Sequence, residues 1–303
     1  MAVTERILVI KLAALGDFVQ AFGPFAAIRK HHPDAEITLL TTRLFATLAA
    51  ESPWFDRVWS EGRPNWWNLA AVLRLARKLR DAGFDRVYDL QTSGRSSRYR
   101  MFVGRGAEWS GIARGASHPD ADPQRDLLHT VDRQRGQLVA AGITDFPRPD
   151  LGWLDTDVSA LGLLPRFALL LPGASAARPG KRWPAARFGT LAARLDLPTV
   201  VCGVAGEAPL AAEIRRLAPQ AVDLTGRTDL RQLAAVARRA DLAIGNDSGP
   251  THLAAAIGCP TVALFGSESE PALCAPRGQA VTILRRQPIS GLSVDEVLQA
   301  AGG

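Results

Sequence analysis

Ile7-Leu8-Val9-Ile10-Lys11-Leu12-Ala13-Ala14-Leu15-Gly16-Asp17 is the stretch that decides the fold. An apolar run ends at a tight turn, 14–17, and apolar residues then recur at Phe18, Ala21, Phe25 and Ile28, the spacing of one helix face. The pattern predicts a strand over 7–12, a turn and a helix. Further along, strands are predicted over 36–41 and 85–90, with a helix over 44–50 and a strongly amphipathic one over 67–81. Strands that alternate with helices imply a parallel sheet with right-handed crossovers.

Residues 113–126 have turn composition and no periodicity, so they read as a loop of a length that is often functional or mobile; 127–141 reads as a helix. The stretch 147–165, with three prolines, is the linker candidate. The alternation then restarts. Strands are predicted over 167–171, 199–203, 222–224, 241–245 and 261–265, with helices over 184–195, 207–217, 230–239 and 250–257. A strand at 281–284 and a helix at 294–300 complete the tail. The chain reads as two successive βα domains, 1–160 and 161–303.

Composition agrees. The 303 residues are 47% hydrophobic and 22% charged, enough for two ordinary globular domains. Charges or turn residues interrupt every apolar stretch before it reaches the roughly 18 residues of a membrane helix, and no signal-peptide pattern opens the chain, so a cytoplasmic location is expected. Cys202, Cys259 and Cys274 form neither a disulfide framework nor a zinc ribbon and read as buried or incidental thiols. The net charge of +6 suggests a polyanionic partner. It divides evenly, 21 basic against 18 acidic residues up to Asp155 and 15 against 12 beyond it. The sharper excess is local: Arg95, Arg98, Arg100, Arg105 and Arg114 face one acid, Glu108. That cluster is either a phosphate or carboxylate grip or a solvated face.

Four loops concentrate polar residues where α/β sheets bind ligands. Gly16-Asp17 stands at the carboxyl end of the first strand, where Asp17 either caps the helix or serves chemistry. Neither G-x-G-x-x-G nor G-x-x-x-x-G-K-[ST] occurs, which argues against a dinucleotide dehydrogenase and a P-loop NTPase. Gly173 to Pro184 gathers small residues and the cations Arg178, Lys181 and Arg182 just before a helix, a composition that suits a phosphate. Glu207 follows a glycine turn and reads either as a ribose ligand or as a helix-dipole carboxylate. The densest signal is Gly245-Asn246-Asp247-Ser248-Gly249-Pro250-Thr251-His252, in which Asp247 and Ser248 can cap the next helix and Pro250 suits its first turn. His252 is open between a structural and a catalytic reading. The histidines show no metal-ligand spacing, and Trp54, Trp59, Trp66 and Trp67 read as packing.

The chain resembles the bacterial lipopolysaccharide heptosyltransferases of glycosyltransferase family 9 along nearly its whole length. The resemblance rests on 7–17, on Tyr88-Asp89-Leu90-Gln91, on 172–174 with 181–184, and on 245–256 with Pro260-Thr261-Val262-Ala263-Leu264-Phe265-Gly266. It implies an α/β GT-B fold, two Rossmann-like domains facing a cleft, and an inverting, metal-independent enzyme with no cofactor. The first domain would take the acceptor and the second an ADP-sugar, typically ADP-heptose. By motif position Asp17 would be the general base, with Gly16, Arg95 and Arg98 on the acceptor side. Lys181 would bind donor phosphate, Glu207 the ribose, and Asp247, Ser248, Gly249 and His252 the diphosphate and sugar. The acceptor would be a lipopolysaccharide core or similar phosphorylated glycan, reached by peripheral contact with the inner membrane surface. A nucleic-acid partner is not expected. Two other readings fit paired α/β domains: a GT-B-like sugar-nucleotide epimerase or hydrolase, and a two-lobed sugar-binding protein.

Overall fold

The computed structural model describes residues 4–302. The chain divides into two compact units, Met1–Trp153 and Leu154–Gly303. The division falls inside the proline-rich stretch 147–165. Trp153 packs against Trp54 and Phe22 of the first unit, with ring centroids 5.5 and 6.0 Å apart, whereas Asp155 receives Arg239 of the second at 3.3 Å.

The first unit is built on six parallel strands, β1 (Arg6–Ile10), β2 (Glu36–Leu40), β3 (Arg57–Trp59), β4 (Arg86–Asp89), β5 (Glu108–Gly111) and β6 (His118–Pro119). They lie in the order β3-β2-β1-β4-β5-β6. In the central register Val9 stands between Leu39 and Tyr88. Ile7 to Ile10 are completely buried, as an apolar run should be in a parallel sheet covered by helices on both faces. Helices α1 (Leu15–Val19), α2 (Phe22–His31), α3 (Arg43–Ala50) and α4 (Leu69–Asp81) follow in sequence with the first strands. Phe18 stacks on Phe45 at 4.9 Å, while α4 turns Leu75, Ala76 and Leu79 into the core.

The second unit repeats this plan with β7 (Ala168–Leu171), β8 (Thr199–Val201), β9 (Val222–Asp223), β10 (Leu242–Asn246), β11 (Thr261–Phe265) and β12 (Val281–Arg285). Their order, β12-β11-β10-β7-β8-β9, is the first sheet's order read from the other edge, and all pairs are parallel. Both follow the arrangement in which the first and fourth strands are neighbours and the crossovers run outward from them. The fold is thus the α/β GT-B class expected from the sequence, with a Rossmann-like sheet in each unit.

Three expectations are corrected. The helical pattern 18–28 is two helices, because Pro24 lacks the N–H that would bond the carbonyl of Gln20, and the chain restarts at Phe22 with the proline in its first turn. The loop 113–126 contains β6, whose two residues pair with Ser110 and Gly111 of β5. Trp67 is not packing: it is 92% exposed. Cys202 and Cys259 are buried free thiols and Cys274 is half-buried.

Candidate active site

In an open parallel sheet, ligands bind beyond the carboxyl ends of the strands, where the crossovers diverge. In the first unit that point lies between β1 and β4, and in the second between β7 and β10. Three of the four polar loops read from the sequence leave one of these strands, the motif at 88–91 ends β4, and the loop at 203–207 follows β8.

At the first point, the chain leaving β1 is held by the chain leaving β4. Gln91 Oε1 accepts the backbone N–H groups of Leu12 (2.8 Å) and Ala13 (3.1 Å). Asp17 then falls in the first turn of α1, half-buried. It is not the N-cap: that position is Ala14, whose N–H Asp17 Oδ2 accepts at 3.1 Å. Beneath this loop Lys11 is buried and donates from Nζ to the Leu90 carbonyl at 3.0 Å. Burial pushes its ammonium down to about 8, against the attraction of Asp17 and Asp89. Asp89 is also fully buried, and its Oδ1 accepts from Gln91 N (3.2 Å) and Thr92 N (3.1 Å). Burial raises this carboxyl to about 7.

The arginine cluster does not converge. Arg95 donates to the Pro64 carbonyl at 2.8 Å, and the Arg95 and Arg98 guanidinium groups lie over the Trp66 ring at 5.1 and 5.6 Å. Arg100 turns to the carbonyls of Arg114 and Gly115, and Glu108 pairs with Arg86 at 2.7 Å.

At the second point, Asn246 ends β10 completely buried and ties two loops together. Its Nδ2 donates to the Pro172 carbonyl at 2.7 Å and its Oδ1 accepts the Trp183 N–H at 3.0 Å. This fixes the loop 172–183 at both ends and brings Lys181 to Asp247, Nζ to Oδ2 at 2.6 Å, with both side chains largely buried. His252 Nε2 lies 3.3 Å from the other oxygen, Oδ1. Burial alone would raise the Asp247 carboxyl, but His252 and Lys181 hold it well below the usual range. Asp247 therefore does not cap the following helix, Gly249–Ala256. Ser248 occupies the N-cap position without a side-chain capping bond, its Oγ 3.3 Å from Thr251 Oγ1, and Gly249 and Pro250 open the first turn.

Glu207 closes the same region. Its Oε2 accepts the Val204 N–H at 3.0 Å, and its carboxylate lies against the Gly173 backbone, where a Cβ would meet Oε1 at 2.1 Å. Arg182 is committed to the Ala174 carbonyl and Arg178 is exposed. The structure thus gathers Lys181, Asp247 and His252, with Ser248 and Gly249 following in the chain, and sets Glu207 on Gly173. Lys11, Gln91 and Asn246 carry much of this geometry, yet the motifs assigned them no role. Their signal was a polar residue flush with the end of a buried strand.

The family model for glycosyltransferase family 9 (heptosyltransferase) matches residues 72–292. The chain belongs to glycosyltransferase family 9. Among its relatives is the lipopolysaccharide core heptosyltransferase OpsX of Haemophilus influenzae, 22% identical over 86% of this chain and 79% of that one. A family 9 glycosyltransferase from Veillonella parvula has the same fold, with a TM-score of 0.82 at 23% identity over 100% and 98% of the two chains. The E. coli heptosyltransferase WaaC, solved with ADP-2-deoxy-2-fluoro heptose, superposes with a TM-score of 0.76 at 19% identity over 98% and 99%. As a family 9 member the protein is a glycosyltransferase, so its loops have to hold a donor, activate an acceptor hydroxyl and stabilise a leaving group.

Proposed function

We propose that this protein is an inverting, metal-independent glycosyltransferase that moves heptose or a related sugar from an ADP-sugar to a lipopolysaccharide core or similar phosphorylated glycan. The observation that carries the reading is the cluster of Lys181, Asp247 and His252 at the carboxyl ends of β7 and β10, in front of a helix N-terminus. Inverting transfer requires a base at the acceptor oxygen and positive groups at the departing diphosphate. In this reading the second unit, 161–303 in the sequence-based division, is the donor domain. Lys181 meets a phosphate, the amides of Ser248 and Gly249 supply further donors, and His252 and Asp247 face the sugar. Glu207 accepts from the ribose hydroxyls.

The first unit, within 1–160, takes the acceptor. Asp17 removes the proton from the attacking hydroxyl as the new bond forms at the anomeric carbon and the bond to diphosphate breaks. Gly16 lets the acceptor approach, and Arg95 and Arg98 meet its anionic groups. The enzyme works at the cytoplasmic face of the inner membrane by peripheral contact; among the described residues no helix is long and apolar enough to cross a membrane.

Thermal-shift measurements against ADP, UDP, GDP and CMP test this reading. Selective stabilisation by ADP is expected, about 2.7 kcal/mol at a hundred times the dissociation constant. A preference for UDP, or release of free sugar or an epimer from donor alone, overturns it.

A further inference from the structure

The exposed face of α4 changes character along its length. Trp67 just before the helix is 92% exposed, and Leu69 and Leu73 are 69% and 55% exposed. Leu69 and Leu73 are four residues apart and so share one side of the helix, beside the face that buries Leu75, Ala76 and Leu79. The later turns replace these apolar groups with Arg74, Arg77 and Arg80, all exposed. Arg74 also borders a pocket of about 650 Å³ whose walls include Arg43, Arg63 and Lys78. The one acid in that wall, Glu61, is taken up by Lys78 at 2.9 Å. A fully exposed tryptophan beside two exposed leucines costs free energy in water, and with Glu61 paired to Lys78 the pocket wall is left with the positive charges of Arg43, Arg63 and Arg74.

We propose that this face, Trp67, Leu69 and Leu73 with Arg74, Arg77 and Arg80, docks the protein on the surface of an anionic lipid bilayer. The inference deepens the reading of a membrane-borne acceptor given above and names the surface that reading needs. An indole suits the boundary between headgroups and acyl chains, and arginines suit the phosphate layer above it. The ordering along α4 places the two chemistries at successive depths, Trp67 and Leu69 inserted first and Arg77 and Arg80 behind them. A second copy of the chain is the poorer occupant, because each copy brings Arg74, Arg77 and Arg80 to the contact, whereas an anionic surface neutralises them.

Flotation of the full-length protein with vesicles tests the proposal, using phosphatidylcholine alone and phosphatidylcholine mixed with phosphatidylglycerol. The vesicles carry neither donor nor lipopolysaccharide, so failure here leaves the ADP measurements untouched. Binding to the mixed vesicles only is expected. Trp67→Ala with Leu73→Ser, and separately Arg74→Glu with Arg77→Glu, should each lower partitioning about tenfold or more, with melting temperatures unchanged because every altered side chain is exposed. Arg215→Glu with Arg216→Glu, on an exposed helix face of the second unit, should leave partitioning within about twofold of the unaltered protein if the effect is local to α4. Absence of binding to mixed vesicles, equal binding to neutral ones, or an equal loss in the control variant overturns the proposal. So does a dimer in light scattering that Trp67→Ala abolishes, since it would assign the face to a second copy.

Discussion

Replacing Lys181 by methionine tests the proposed phosphate role of this residue apart from its structural one. The ammonium lies 2.6 Å from Asp247 Oδ2, and the two side chains are only 14% and 4% exposed. Methionine keeps the length of the side chain but strands the carboxylate, leaving His252 at 3.3 Å as its polar side-chain neighbour in the cluster. Breaking a buried pair from one side costs about 3–5 kcal/mol, and the retained histidine places this case near 3. For a unit of about 150 residues that corresponds to a fall of about 6–12 °C in melting temperature. Adding Asp247→Asn removes the stranded charge, so the double variant should recover most of the loss. ADP affinity should behave differently. A charge-assisted phosphate contact is worth about 1.5–3 kcal/mol, which is about 10- to 150-fold in dissociation constant. That loss should persist in the double variant when measured by calorimetry. A double variant that binds ADP as tightly as the unaltered protein would refute the phosphate role, and Lys181 would be only the counter-ion of Asp247. A single variant of unchanged stability would refute the argument from the buried pair. The linkage has a definite sign: Asp247 titrates below its unfolded value, so its contribution is present above about pH 4 and lost in more acid solution.

Four further outcomes follow from the geometry. Asp17→Asn should lower turnover by about 100-fold or more in steady-state assays while ADP affinity stays within about twofold, since the amide oxygen can still accept the Ala14 N–H. Gln91→Ala leaves the N–H groups of Leu12 and Ala13 without their acceptor; denaturant titration should show a loss of about 1–3 kcal/mol, and kcat should fall more than ADP affinity. Gly173→Ala puts a methyl group 2.1 Å from Glu207 Oε1, so the carboxylate has to leave its place, and ADP binding should weaken about tenfold in calorimetry. Asp89→Asn tests a pH dependence: the folded carboxyl titrates at about 7, above its unfolded value near 4, so the folded state keeps a proton that the unfolded state has lost. Stability should fall from about pH 4 to pH 7 by up to about 4 kcal/mol, and unfolding titrations of the asparagine variant should lack that slope.

The alternation of strands and helices was legible because most central strands carry an unbroken buried apolar run, such as Ile7 to Ile10, Ala168–Leu171 and Val262 to Phe265. Thr261–Phe265 is found where the pattern places it, and Arg6–Ile10 lies within two residues of expectation. The edge strands of the second unit, Val222–Asp223 and Val281–Arg285, were legible too, but those of the first unit were not. Arg57–Trp59 is half-exposed and three residues long, and His118–Pro119 is two, so neither contains a period to detect. The loops that carry the candidate site were visible for a simpler reason: polar residues collect where a buried strand ends. Their internal partners were hidden, because Lys181 and Asp247 are 66 residues apart and meet only once β7 and β10 lie side by side. Local pattern offered capping as the use of Asp247, and long-range packing overrode it. Trp67 shows the converse, since a tryptophan beside an amphipathic helix usually packs and only the fold reveals that this one does not.

The two amide pins, Gln91 on Leu12 and Ala13 and Asn246 on Pro172 and Trp183, make all of their hydrogen bonds within their own units. Each of these loops is therefore shaped by neighbours that travel with it in the gene. An exchange of halves between relatives, cut between Trp153 and Leu154, would transplant a complete set of loops with its own scaffold. Whatever each set of loops binds can then be exchanged as a module, one set revised without rebuilding the other.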